Sequence, residues 1–103
     1  MEDGEVFSGA NVENASYGLS MCAERVAIFA AAASGRRRAT AIAVSCAKGD
    51  PSKVATLTPC GACRQVMSEF MQADATIIID GVGALRLRDL LPLAFSLGDA
   101  NER

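Results

Sequence analysis

The chain contains no histidine. Imidazole is the commonest metal ligand and the usual general base near neutral pH, so any such site here must use thiols and carboxylates. No apolar run approaches the ~20 residues needed to span a bilayer. The opening residues, MEDGEV, have neither the basic start nor the apolar segment of a secretory leader. Positive charge is in no surplus either: 10 Lys and Arg stand against 12 Asp and Glu, for a net charge of -2. Phosphate backbones are held by clustered Lys and Arg, so a nucleic-acid partner is not expected. Internal repeats, low-complexity tracts and linkers are absent as well. These absences together predict a soluble, cytoplasmic protein that engages neither membrane nor nucleic acid.

What is present is one domain's worth of chain, taken as residues 1–103. Half of the residues are apolar and 21% are charged, a balance that supports a packed core. There are 4 cysteines. In a reducing compartment they point to metal binding or catalysis rather than to disulfides.

Strand and helix patterns alternate along the chain. GEVFSGANVEN reads as a short strand running into an Asn-rich loop. Residues 20–34, SMCAERVAIFAAAAS, are apolar on nearly every face and stop at Gly35 before three arginines. That pattern predicts a buried helix with a glycine cap and a basic, solvated end at Arg36, Arg37 and Arg38. TAIAVSC (40–46) reads as a strand, KGDPSK as a loop and VATLT (54–58) as a second strand. A helix is expected over 61–72, where Ala62, Val66, Met67, Phe70 and Met71 recur at helical spacing. ATIIID (75–80) reads as a buried strand, GVG as a turn, and LRDLLPLAF as a last short helix or turn. The expected fold class is α/β, with central strands parallel and buried. Asp3-Gly4 is a hairpin-turn signal with a strand after it but none before it.

The chemistry concentrates at two predicted helix starts. Cys60 and Cys63 open one helix in TPCGACRQV, and Cys22 opens the other in CAER. Two helix N-termini, each favouring negative charge, could bring three thiolates to one point. Three protein ligands with an open fourth position describe catalytic zinc, which lowers the pKa of bound water to ~7. Glu24, beside Cys22, is the candidate proton shuttle. Plainer alternatives exist for each part. Cys22 alone could be a core cysteine, Glu24 alone a carboxylate that complements the dipole, and Cys60–Cys63 alone a redox dithiol. Cys46 has no such context and is expected in the core. Asn11 and Asn14 could be turn formers, Glu13 a solvated carboxylate, and Tyr17 and Phe95 packing residues.

The combination of Cys-x-Glu with Pro-Cys-x-x-Cys resembles the zinc-dependent nucleoside and nucleobase deaminases. GANVENASYG, CAERVAIFAA, TPCGACRQVMSEF and LLPLAF are similar, almost continuously, to motifs of the small, all-cysteine cytidine deaminases. The resemblance implies a three-layer sandwich with a mixed central sheet and helices on both faces. It also implies one zinc ion per chain, held by Cys22, Cys60 and Cys63, with Glu24 as the proton carrier. Arg25 would offset the excess charge of three thiolates on Zn²⁺. Asn11 and Glu13 would bind the ribose, and the backbone around Ala23 the base. Phe95, Ala15 and Tyr17 would act across the interfaces of a homotetramer, with a dimer as the alternative. The implied substrates are cytidine and deoxycytidine, as in pyrimidine salvage. A different aminonucleoside, such as a nucleoside antibiotic, is the second reading, and a non-catalytic zinc-stabilised module the third. The family also carries an N-terminal helix and a strand that would lie between GEVF and the next strand. On this resemblance the chain is N-terminally truncated, and an exposed strand edge is expected to promote association.

Overall fold

The computed structural model describes residues 1–50 and 52–97. Helix α1 spans Ala23–Ala33, strand β1 Ala39–Val44, helix α2 Gly61–Phe70, strand β2 Met71–Ile79, strand β3 Gly83–Arg86 and helix α3 Leu87–Leu90. The sheet order is β1-β2-β3. β1 runs parallel to β2, and β2 runs antiparallel to β3, so the sheet is mixed and the α/β class is as expected.

The helices form where the pattern placed them, with shorter bounds. Gly35 ends α1 in a left-handed conformation at φ +88°. Its N–H donates to the Ala32 carbonyl and that of Arg36 to the Ala31 carbonyl, the two bonds of a Schellman cap. The three arginines lie beyond the helix rather than in its last turn. Two of them are also not simply solvated: Arg36 pairs with Asp3 and Glu5, and Arg38 with Glu2, fastening the N-terminal residues. α1 is only partly buried, with Ile28 and Ala31 inward and Phe29 43% exposed. α2 passes straight into β2 at Met71, whose extended backbone ends the helix.

The core joins Ile28 of α1, Cys63 and Met67 of α2, Ala75, Ile77 and Ile79 of β2, and Leu87 and Leu90 of α3. In β2 only alternate residues are buried. Thr76 and Ile78 turn the other way, so the strand is not buried on both faces.

Three expected features are corrected. VATLT is not a strand; Val54–Thr56 form a single 3-10 turn. The Thr56 hydroxyl bonds the backbone of Asp50 and Lys53, and the Asp50 carboxylate takes the Ser52 N–H. These local bonds compete successfully with a sheet ladder. Pro51, in the expected loop, lies outside the described residues. GEVFSGANVEN is not a strand either. Its only ladder contact among the described residues is the bridge between Val12 and Met21. The Asp3-Gly4 turn does form, with the Gly4 N–H donating to the Met1 carbonyl. Cys46 is exposed rather than core, because β1 ends at Val44. β3 itself was not expected: GALR is too short and mixed for its period to stand out, and it is held by pairing with β2.

Burial separates neighbouring residues of β2, which gives a direct test. Ile77 is fully buried and Ile78 is 48% exposed. Ile77→Ala is expected to cost about 2–5 kcal/mol of stability by chemical denaturation. Ile78→Ala should cost well under that, and equal losses would refute the assigned faces.

Candidate metal centre and its surroundings

The two helices that carry the cysteines begin alike. Cys22 is the N-cap of α1 and Cys60 the N-cap of α2, both with extended backbones. Each cap carbonyl accepts the first helical bond, from Val26 and Arg64 respectively. Cys63, one turn into α2, is fully buried. α1 and α2 pack together. The result is three sulfur atoms within 4.8 Å of one another. Cys60 Sγ lies 3.4 Å from Cys63 Sγ and 3.7 Å from Cys22 Sγ.

Cysteine caps a helix poorly, and neither sulfur makes a formed capping hydrogen bond, although the Ala62 and Cys63 N–H groups of α2 are close enough to Cys60 Sγ to favour its thiolate. For α1 the task passes to Asn11, whose Oδ1 accepts from the Ala23 N–H at 2.8 Å. Asn11 is brought there by the Val12–Met21 bridge, with two backbone bonds of 2.8 Å. Gly9 makes a second close approach. A Cβ at that position would lie 2.6 Å from the Ala23 carbonyl oxygen and 2.7 Å from the Ala27 nitrogen.

The electrostatics divide the three sulfurs. Burial pushes the Cys63 thiol well up, and hydrogen bonding with Glu24, Cys60 and Cys22 adds to it. Glu24 is thereby placed beside Cys63. Burial also works against ionisation of Cys60. The Cys63 N–H, the Cys63 and Cys22 thiols and the Ala62 N–H outweigh it, and the Cys60 thiol sits below its ordinary value. Arg25 Nη2 donates to Cys22 Sγ at 3.6 Å. That bond comes first among the causes that raise the guanidinium above its ordinary value, with Cys63 contributing after burial's opposing effect. Arg25 Nε is buried and has no hydrogen-bond partner among the described residues.

These features fit a thiophilic cation. A closed set of three sulfurs offers tetrahedral metals three corners, and sulfur binds metal as thiolate. A guanidinium with a donor to spare stands against the set. Thiolates are better acceptors than thiols, so metal-bound sulfurs suit the bond from Arg25 Nη2 better than protonated ones.

Of the residues proposed from the sequence, the fold brings together Cys22, Cys60, Cys63, Glu24, Arg25, Ala23 and Asn11. Glu13, Ala15 and Tyr17 lie on an exposed loop, closed by the bonds between Asn14 and Ser20. Phe95 is 67% exposed on the C-terminal segment, where its carbonyl accepts from Gln65 Nε2. A cleft of about 640 Å³ opens beside Glu24 between residues 5–9 and β1, lined by Phe7, Ala27, Ala43 and Ile78 among others. It lies where the resemblance implied a further strand. The capping role of Asn11 was not foreseen. Its signal was faint: a Cys at an N-cap needs a substitute acceptor, but sequence does not say from where.

Substitution isolates the sulfur set. Ser in place of Cys22, Cys60 or Cys63 is expected to remove most bound zinc after dialysis, whereas Cys46→Ser should leave zinc content unchanged. Asn11→Ala, which uncaps α1, should cost about 1 kcal/mol of stability. Metal analysis and denaturation on the same samples check both.

A family model for the cytidine and deoxycytidylate deaminase zinc-binding region matches residues 1–79. The chain is 45% identical over 106 residues to a cytidine deaminase of Halalkalibacterium halodurans, covering 99% of this chain and 76% of that protein. It is 45% identical over 100 residues to one of Mycobacterium tuberculosis, covering 96% of this chain and 70% of that one. Among solved structures, a cytidine deaminase from Burkholderia pseudomallei matches with a TM-score of 0.75 at 45% identity. That match covers 90% of this chain and 74% of the other.

Proposed function

The chain belongs to the cytidine and deoxycytidylate deaminase family, and on that premise we propose that it hydrolyses cytidine and deoxycytidine to uridine and deoxyuridine, releasing ammonia. One observation carries the reading: three cysteine sulfurs meet at two helix starts with Glu24 beside them. Cys22, Cys60 and Cys63 hold one zinc ion. When bound, zinc makes a hydroxide nucleophile available near neutral pH.

The rest is done by the chain's own residues. Glu24 takes the proton of the attacking water and passes it to the pyrimidine N3 as the new C4–O bond forms. The second water proton travels the same way to the amino group, and the C4–N bond breaks to release ammonia. Water and cytidine are consumed, and uridine and ammonia are formed. Arg25 keeps the thiolates' excess negative charge from weakening the site. With Oδ1 committed to α1, Asn11 offers its Nδ2 amide as donor to a ribose hydroxyl, and Glu13 offers an acceptor. The backbone around Ala23 holds the base.

The reading includes a homo-oligomer, a tetramer or else a dimer. Tyr17 at 89% exposure and Phe95 at 67% are large apolar groups left to solvent by one chain, which supports a role for them, with Ala15, across subunit contacts. No helix among the described residues is long and apolar enough to cross a membrane. A cytoplasmic place in pyrimidine salvage is part of the same proposal.

The open cleft beside Glu24 favours a second reading, a zinc-stabilised module without turnover. The fall in ultraviolet absorbance of cytidine incubated with the zinc-loaded protein separates the two. Turnover is expected, lost on chelation and restored by zinc. Glu24→Gln should lower it by about 10²–10⁴-fold while keeping the metal. Zinc binding without turnover in the parent protein would leave the module reading; full activity in Glu24→Gln would remove Glu24 from the mechanism.

A further inference from the structure

Arg64 is the fourth residue of α2, directly after the buried Cys63. A cation in a helix's first turn opposes the dipole, so it needs a specific reason to be there. The reason lies in its bonds. Nε donates to the Pro59 carbonyl at 2.8 Å, Nη2 to Thr58 Oγ1 at 3.2 Å and Nη1 to the Leu90 carbonyl at 2.7 Å. The planar fork spans the turn that delivers Cys60 and the end of α3.

The Pro59 carbonyl belongs to the same peptide plane as the Cys60 nitrogen. Fixing that oxygen therefore fixes the plane from which Cys60 departs. The anchor at the other end is firm, since Leu87 and Leu90 of α3 are both in the core. Cys60 itself is exposed and its sulfur makes no formed capping bond, only weak contacts with the α2 N–H groups and the other thiols, so its own packing does little to hold it. We propose that Arg64 is a positioning residue for the metal centre: it clamps the Pro59–Cys60 peptide to α3 and so keeps Cys60 Sγ within reach of the other two sulfurs.

Lysine cannot replace it. An ammonium on a flexible stem is a single point charge and cannot hold three acceptors in a fixed plane. The side chain of the neighbouring Gln65 donates instead to the Phe95 carbonyl of the C-terminal segment. Gln65→Ala is thus a control for loosening the C-terminal segment alone.

The inference rests on the zinc reading of the three cysteines, and zinc binding by the parent protein is the control for that reading. Zinc affinity would be measured by competition with a chromophoric chelator for the parent, Arg64→Lys, Arg64→Ala and Gln65→Ala. Cobalt-loaded samples would report the ligand set through their thiolate charge-transfer and ligand-field bands. Arg64→Lys and Arg64→Ala are expected to weaken zinc binding by about 10–100-fold, the usual effect of losing a group that orients a ligand. Their cobalt spectra should shift, while Gln65→Ala behaves as the parent. Should Arg64→Ala fail to fold, Arg64→Lys and Thr58→Val, which removes one acceptor, carry the test. Unchanged zinc affinity and unchanged cobalt bands in folded Arg64→Lys would overturn the proposal, even if its metal-free form melted earlier. Full recovery of affinity by lysine would reduce Arg64 to a charge effect and overturn it equally. A parent protein that binds no zinc would instead remove the cysteine site itself.

Discussion

Three sulfur atoms held within 4.8 Å of one another make an unfavourable group in the absence of a cation. As thiolates at this separation, each pair would repel by on the order of 4 kcal/mol at an effective dielectric of about 20. As thiols they are large and weakly polar, and two of the three need a backbone that ends in the right place. Much of the surrounding structure can be traced to that requirement. Two helices start at the site, and the Ala62 and Cys63 N–H groups of α2 face Cys60 Sγ. Cys63 and Met67, both fully buried, fix α2 against β2. Arg25 is inserted where the negative charge would otherwise be uncompensated.

The same requirement places side chains against ordinary helix preferences. Ser, Thr, Asp or Asn would serve α1 and α2 better as caps than cysteine does. Arginines occupy the third position of α1 and the fourth of α2, where the dipole favours carboxylates. Three of these four exceptions are offset by a specific side-chain bond. Asn11 reaches back to cap α1, Arg25 meets sulfur, and Arg64 meets three oxygens. Local propensity is thus set aside at the site and the difference is made up by its neighbours, a pattern typical of functional regions.

The helices and β1 were legible because each is written in consecutive residues, and the sulfur set because each of its two halves, Cys-x-Glu and Pro-Cys-x-x-Cys, is a short local motif. α1 ends at a glycine that must adopt positive φ, and α2 shows a clear 3.6-residue period. What escaped depends on pairings that composition does not display, some of them far away in the chain. GALR becomes β3 because β2 lies alongside, and GEVF does not become a strand because no neighbour among the described residues pairs with it. VATLT has the composition of a strand, yet Asp50 and Thr56 claim its backbone. Cys46 reads as core when taken as part of a strand with no metal-site context, but the strand stops two residues before it. Asn11 and Arg64 take their meaning from atoms 12 and 26 residues away, which no local pattern displays.

The wall of the cleft beside Glu24 illustrates how unevenly such long-range bonds are distributed. Residues 5–9 are tied at one end by exposed ion pairs from Arg36 and Arg38 to Glu2, Asp3 and Glu5. Exposed pairs of this kind are typically worth only ~0–1 kcal/mol and weaken with salt. At the other end Gly9 lies so close to α1 that no side chain fits, and two residues later Asn11 caps that helix. The second attachment is short-range, directional and insensitive to salt, so it governs where the wall stands. The helix start that presents Cys22 and Glu24 is therefore the same one that positions the segment facing them, and a disturbance of the Gly9–Asn11 contact is transmitted to the metal ligand and the pocket wall together.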